Sequence, residues 1–144
     1  MASTINSLIE TLKDGEAGFK TAAADVNDAT VKATFNEFAR QRSQMAGELA
    51  SHLRGEDAKS SPDSGSISGA AHRGWMNIKS ALGGGEQAIL NEAERGEDQA
   101  VHAYEDAMKD ENLPNDVADI VRRQYREVKQ AHDRVKAMRD SWKK

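Results

Sequence analysis

Apolar residues recur along this chain every three or four positions, the spacing that gathers them on one side of an α-helix. Ile5, Leu8, Ile9, Leu12, Phe19, Ala23 and Val26 form the first stripe and predict a helix from about Ser3 to Asn27. Asn27-Asp28 reads as a turn. Val31, Phe35, Phe38, Met45, Leu49 and Leu53 then predict a second helix, from Ala29 to Leu53, with Gly55 as its stop. The pattern breaks at Lys59-Ser60-Ser61-Pro62-Asp63-Ser64-Gly65-Ser66, a loop composition. It resumes through Ile67, Ala70, Ala71, Trp75, Ile78 and Leu82 and stops at Gly83-Gly84-Gly85. Ile89, Leu90, Ala93, Ala100, Val101, Tyr104 and Met108 line a helix from Glu86 to about Asp110. Pro114 suits the first turn of the last helix. Val117, Val121, Gln124, Val128, Ala131, Val135, Met138 and Trp142 then keep a seven-residue, two-position repeat.

The connections carry the topology. Tight turns make the first two long helices antiparallel, and likewise the last two. Between the pairs, residues 58–85 combine a loop with a helix that reaches about 24 Å at 1.5 Å per residue. That span covers most of a bundle's length, so the second and third long helices are predicted to run parallel. No period-2 alternation is present, which argues against strands. The expected fold is therefore all-α: one domain over residues 1–144, a four-helix bundle with a short helical crossover between the second and third long helices.

Composition narrows the chemistry. Apolar residues are 38% and charged residues 31% of the 144, and no apolar run approaches the ~20 residues of a membrane span. There is no cysteine, which removes disulfides, thiolate metal sites and cysteine nucleophiles. No secretory leader is visible at Met1-Ala2-Ser3-Thr4, so the cytoplasm is the expected compartment. The net charge of −4 gives no reason to expect nucleic acid. Arg122, Arg123, Arg126, Lys129, Arg134, Lys136, Arg139, Lys143 and Lys144 make the last helix basic, but acids intersperse it. The face reads as solvated, with ion pairs to neighbouring helices.

The informative residues interrupt the apolar stripes. Leu12, Glu16 and Phe19 stand at i, i+4, i+7, which puts Glu16 on the core face beside Gly15 and Gly18. Gln41 and Arg42 lie between Phe38 and Met45, so one or both turn inward. Glu97 falls between Ala93 and Val101, with Glu94 beside it, and Gln124 occupies a seam position with His132 at the edge. Four-helix bundles place di-metal carboxylate sites at such a layer, from Glu and Glu-x-x-His ligands. Here the matching positions are Gln41-x-x-Gln44 and Gln124-x-x-Glu127, and Arg42 brings positive charge that repels cations. The favoured expectation is a buried polar layer of Glu16, Gln41, Arg42, Glu97 and Gln124, with Arg42 bridging Glu16 and Glu97 and with no metal. The alternative is a di-iron or di-manganese site using Glu16, Glu48, His52, Glu97 and Glu127.

Several stretches resemble an uncharacterised bacterial family of ferritin-like, rubrerythrin-related bundles. They are Leu8-Ile9-Glu10-Thr11-Leu12-Lys13-Asp14-Gly15-Glu16-Ala17-Gly18-Phe19, Gly69-Ala70-Ala71-His72-Arg73-Gly74-Trp75, Glu94-Arg95-Gly96-Glu97, and Gln124-Tyr125 through His132-Asp133. The resemblance implies the ferritin-like bundle and no particular reaction. It also implies that Glu16 and Glu97 are retained carboxylate positions and that both Gln-containing motifs are altered Glu-x-x-His motifs. A stress-related role follows from that relationship alone.

The four histidines, His52, His72, His102 and His132, lie in different segments and read as surface or helix-end residues. His132 and Asp133 are adjacent, about 100° apart on a helix, and are not expected to form a dyad. No serine sits in a nucleophile-elbow context. The functional expectation is a non-catalytic bundle acting by binding or assembly, with self-association as an option and no membrane partner. The contrasting expectation is a di-metal oxidase, peroxidase or iron-handling protein.

Overall fold

A computed structural model describes residues 2–53, 75 and 78–142. Its helices are α1 (Ala2–Asp25), α2 (Ala29–Ala50), α3 (Ile78–Ala81), α4 (Glu86–Ala107) and α5 (Asn115–Trp142). The four long helices pack as a bundle, and α3 leads into α4 as the last turn of the crossover. The predicted helix over 67–82 is described only at Trp75 and from Ile78 onward; its earlier part lies outside the described residues.

Local chemistry sets the ends. Asp28 is extended (φ −70°, ψ 125°) and its carboxylate accepts the Val31 N–H at 2.9 Å, a side-chain cap that starts α2. Gly85 precedes α4 at φ 90°, a left-handed conformation that side chains resist. Glu86, first in α4, accepts the backbone N–H groups of Asn27 (3.0 Å) and Asp28 (2.8 Å). This one carboxylate ties the α1–α2 turn to the start of α4. At the opposite end, the Thr4 hydroxyl donates to Asp110 at 2.6 Å. α4 thus starts where α1 ends, antiparallel to it and parallel to α2. The closest packing is α1 with α2 and α4 with α5, then α1 with α4, and α2 meets α5 more lightly.

The core has two parts. At one end Ile5, Leu8, Ile9, Leu12, Met45, Leu49, Val117, Val121 and Val128 pack around Tyr104. At the other end Phe19 is the hub, with ring centroids 5.2 Å from Phe35, 5.4 Å from Phe38 and 4.9 Å from Trp75. Trp75 lies so close over Gly18 that a Cβ there would stand 2.2 Å from the indole. Glycine is what lets the crossover tryptophan reach the bundle. Two predicted inward residues are surface residues instead: Met108, just past the end of α4, and Trp142, in the last turn of α5, are each 38% exposed. No described helix is long and apolar enough to cross a membrane.

Candidate metal centre

Between the two halves of the core lies the polar layer. Arg42 from α2 reaches Glu97 on α4, and both are fully buried. Arg42 Nη1 donates to Glu97 Oε2 at 2.9 Å and Nη2 donates to Oε1, a two-pronged pair. The guanidinium carbon also lies 5.4 Å from the Phe19 ring centre, within reach of its π face. A Cβ on Gly15 would stand 3.1 Å from Arg42 Nη1, so the absence of a side chain there gives the guanidinium its room.

Other expected members of this layer sit elsewhere. Glu16 is turned to the flank, where Lys20 one turn on donates to it at 2.9 Å. Gly15 takes the seam position because Arg42 fills that space, and Asp14, rather than Glu16, is the buried carboxylate of this turn. Gln124 is buried but belongs to another network: it accepts the Tyr104 hydroxyl at 2.7 Å and donates to Glu48 at 2.9 Å and the Met45 carbonyl at 3.2 Å. Burial pushes the Tyr104 phenol pKa up, well above its ordinary value. Gln41 lines a cavity of about 230 Å³ between α2 and α5. The alternative ligand set is dispersed. Glu48 pairs with Arg123, Glu127 lies 3.8 Å from the same guanidinium, His52 lies 3.8 Å from Asp116, and Glu97 is taken by Arg42. The central layer therefore does not fit two cations: its buried carboxylate already has a cation of the protein's own.

The side chains that do converge lie on the α4–α5 seam. Glu94 and Asp98, one helical turn apart on α4, face His132 on α5. Their ligand atoms lie within 4.8 Å of one another, the one such group of three or more among the described residues. His132 Nε2 is 2.5 Å from Asp98 Oδ1 and 3.7 Å from Glu94 Oε2. Its Nδ1 is 3.1 Å from Asp133 Oδ1, so the adjacent pair is in contact after all. The angle between successive helical side chains separates their Cβ atoms, but the Asp133 carboxylate spans the gap to the near ring nitrogen. Arg139 Nη1 donates to the other oxygen of Glu94, Oε1, at 2.7 Å.

This geometry defines the electrostatics. With Nδ1–H directed at Asp133, Nε2 faces two carboxylates and needs a positive charge there, either its own proton or a bound cation. Burial disfavours the imidazolium. The hydrogen bonds to Asp133 and Asp98 and the charges of Asp98 and Glu94 outweigh that cost and raise the His132 pKa above its ordinary value. Asp133 is lowered in turn by its bonds to His132 and Lys129.

Residues 1–110 match the model of a domain of unknown function, DUF2383. The chain belongs to this family. No curated protein matches the sequence. Within this DUF2383 chain the matched region contains α1 through α4, and so holds Arg42, Glu94, Glu97 and Asp98. His132 stands on α5, beyond it. The sequence does signal the cluster in part: Glu94 and Asp98 have i, i+4 spacing, and His132 lies at the edge of the α5 stripe. The register of α5 against α4 supplies the rest, and no local pattern reveals it.

Proposed function

We propose that this DUF2383 protein is a ferritin-like bundle that binds one divalent metal ion on its α4–α5 seam, through Glu94, Asp98 and His132. The observation that carries this reading is the convergence of two carboxylates and one imidazole from two adjacent helices. Oxygen-rich donors with one nitrogen suit Mn(II), Fe(II) or Zn(II). Each of two ligands has an outer partner that orients it, Asp133 for His132 and Arg139 for Glu94, as protein metal sites commonly do. A mononuclear site replaces the dinuclear alternative, because Arg42 occupies the central layer. The whole chain, residues 1–144, is read as a single domain, and no catalytic step is assigned to it.

A second reading keeps a non-catalytic bundle that acts through binding or assembly. The Arg139–Glu94 contact favours it, since guanidinium and imidazolium together offset much of the cluster's negative charge without an ion. Equilibrium dialysis of metal-stripped protein against Mn(II), Fe(II) and Zn(II), the iron under anaerobic conditions, separates the two. Binding of one ion per chain, lost in Asp98→Ala and His132→Ala and kept in Glu16→Ala, is the expected result. No saturable binding leaves the second reading.

A further inference from the structure

Resting on that metal site, we infer that the bound ion keeps an open position that takes a small oxyanion, a carboxylate or phosphate group, beside Arg139. Three ligand atoms converge, two from α4 and one from α5. His132 and Glu94 are the recessed members, whereas the Asp98 side chain is 47% exposed, so an ion held by the three would be reached by solvent from the Asp98 side. Zinc and its neighbours fill at least four positions. A three-ligand protein site leaves the remainder to water or an exogenous ligand.

Among the described residues, the remaining neighbours would not close the shell. Asp133 is engaged on the far nitrogen of His132 and with Lys129. Arg139 is a cation and cannot ligate. Its Nη1 holds Glu94, and its Nε and Nη2 rest on Asp140 at 3.2 and 2.9 Å. The Asp140 side chain is half exposed, so water competes for its end of the pair. An oxyanion on the open face of the ion can take those donors in its place. A metal ion next to a guanidinium fork presents two positive groups to an oxyanion, and the planar fork matches carboxylate and phosphate geometry.

Cobalt(II) makes the open position visible, because its absorption bands respond to ligand exchange. The full-length chain is loaded with one equivalent of cobalt(II) and titrated with inorganic phosphate or acetate, with perchlorate at equal ionic strength as control. Saturable band shifts with phosphate and acetate, absent with perchlorate, are the expected result. Arg139→Gln is expected to raise the half-saturating phosphate concentration about tenfold, and Arg139→Lys to recover part of it. Cobalt bound with unchanged bands at every anion concentration overturns the open position. Equal phosphate response in wild type and Arg139→Gln overturns the role of Arg139. Failure of wild type to bind cobalt at all overturns the metal site itself, and this inference with it.

Discussion

The buried Arg42–Glu97 pair and the His132 cluster are both built from opposite charges, and both involve α4, yet they differ in what water can do for them. Arg42 and Glu97 are fully buried between the two parts of the core, each paired with the other. Glu94, Asp98 and His132 lie at the edge, where solvent, a proton or an ion can complete them. A pair sealed from water specifies how helices pack. A cluster at the rim, with one titratable nitrogen among acceptors, can exchange what it holds. The same helix thus carries a structural charge on its inner face at Glu97 and candidate ligands three positions before it, Glu94, and one position after it, Asp98.

The sharpest way to break this contrast is to remove one charge from the sealed pair. Glu97→Gln leaves Arg42 buried without its counter-ion and is expected to cost about 3–5 kcal/mol in urea unfolding. The double variant Arg42→Met/Glu97→Leu is expected to regain most of that loss. If Glu97→Gln costs under about 1 kcal/mol, the value typical of an exposed pair, the pair is not sealed. Next in size is Gly18→Ala, whose methyl would enter the Trp75 ring. It is expected to cost about 1–3 kcal/mol and to change tryptophan fluorescence in a Trp142→Phe background. An unchanged spectrum would place Trp75 away from α1.

At the rim the expected stability effects are smaller and the binding effects larger. His132→Gln in metal-free protein is expected to change stability by no more than about 1 kcal/mol. The same variant should weaken metal binding at least tenfold. The smallest effect is the dependence on pH. The His132 pKa is raised in the folded, metal-free protein, so its contribution to stability is fully present below the unfolded value, and is lost as pH rises through the folded value. An NMR titration of the ring protons should place the His132 midpoint above the ordinary imidazole value. A midpoint at or below the ordinary value would mean that the acidic neighbours do not hold the imidazolium.

Much of this fold is written in the spacing of apolar residues. Ile5 through Val26 and Val117 through Val135 mark the buried faces of α1 and α5, and the Asn27-Asp28 turn and Gly83-Gly84-Gly85 mark breaks between helices. Arg42 and Glu97 are legible as charges inside those stripes. Glu16 was not correctly legible: Gly15 and Glu16 both fall about one turn after Leu12, and only the bulk of Arg42 decides which faces inward. Gln124 is buried as its seam position implies, but its partners Tyr104 and Glu48 depend on how three helices meet. His132 reads as an edge residue because its acids lie 34 and 38 positions earlier, on another helix. Local periodicity gives a side chain's direction, and helix register gives its partners.

Where the ion sits can be tested directly by anomalous diffraction from crystals of the zinc-loaded protein, with data at the zinc edge. The expected result is one peak per chain between α4 and α5, bonded to Glu94, Asp98 and His132 Nε2, with the Arg42–Glu97 pair intact. A peak in the central layer, with Arg42 displaced from Glu97, or no peak at the seam from a zinc-saturated crystal, would contradict it.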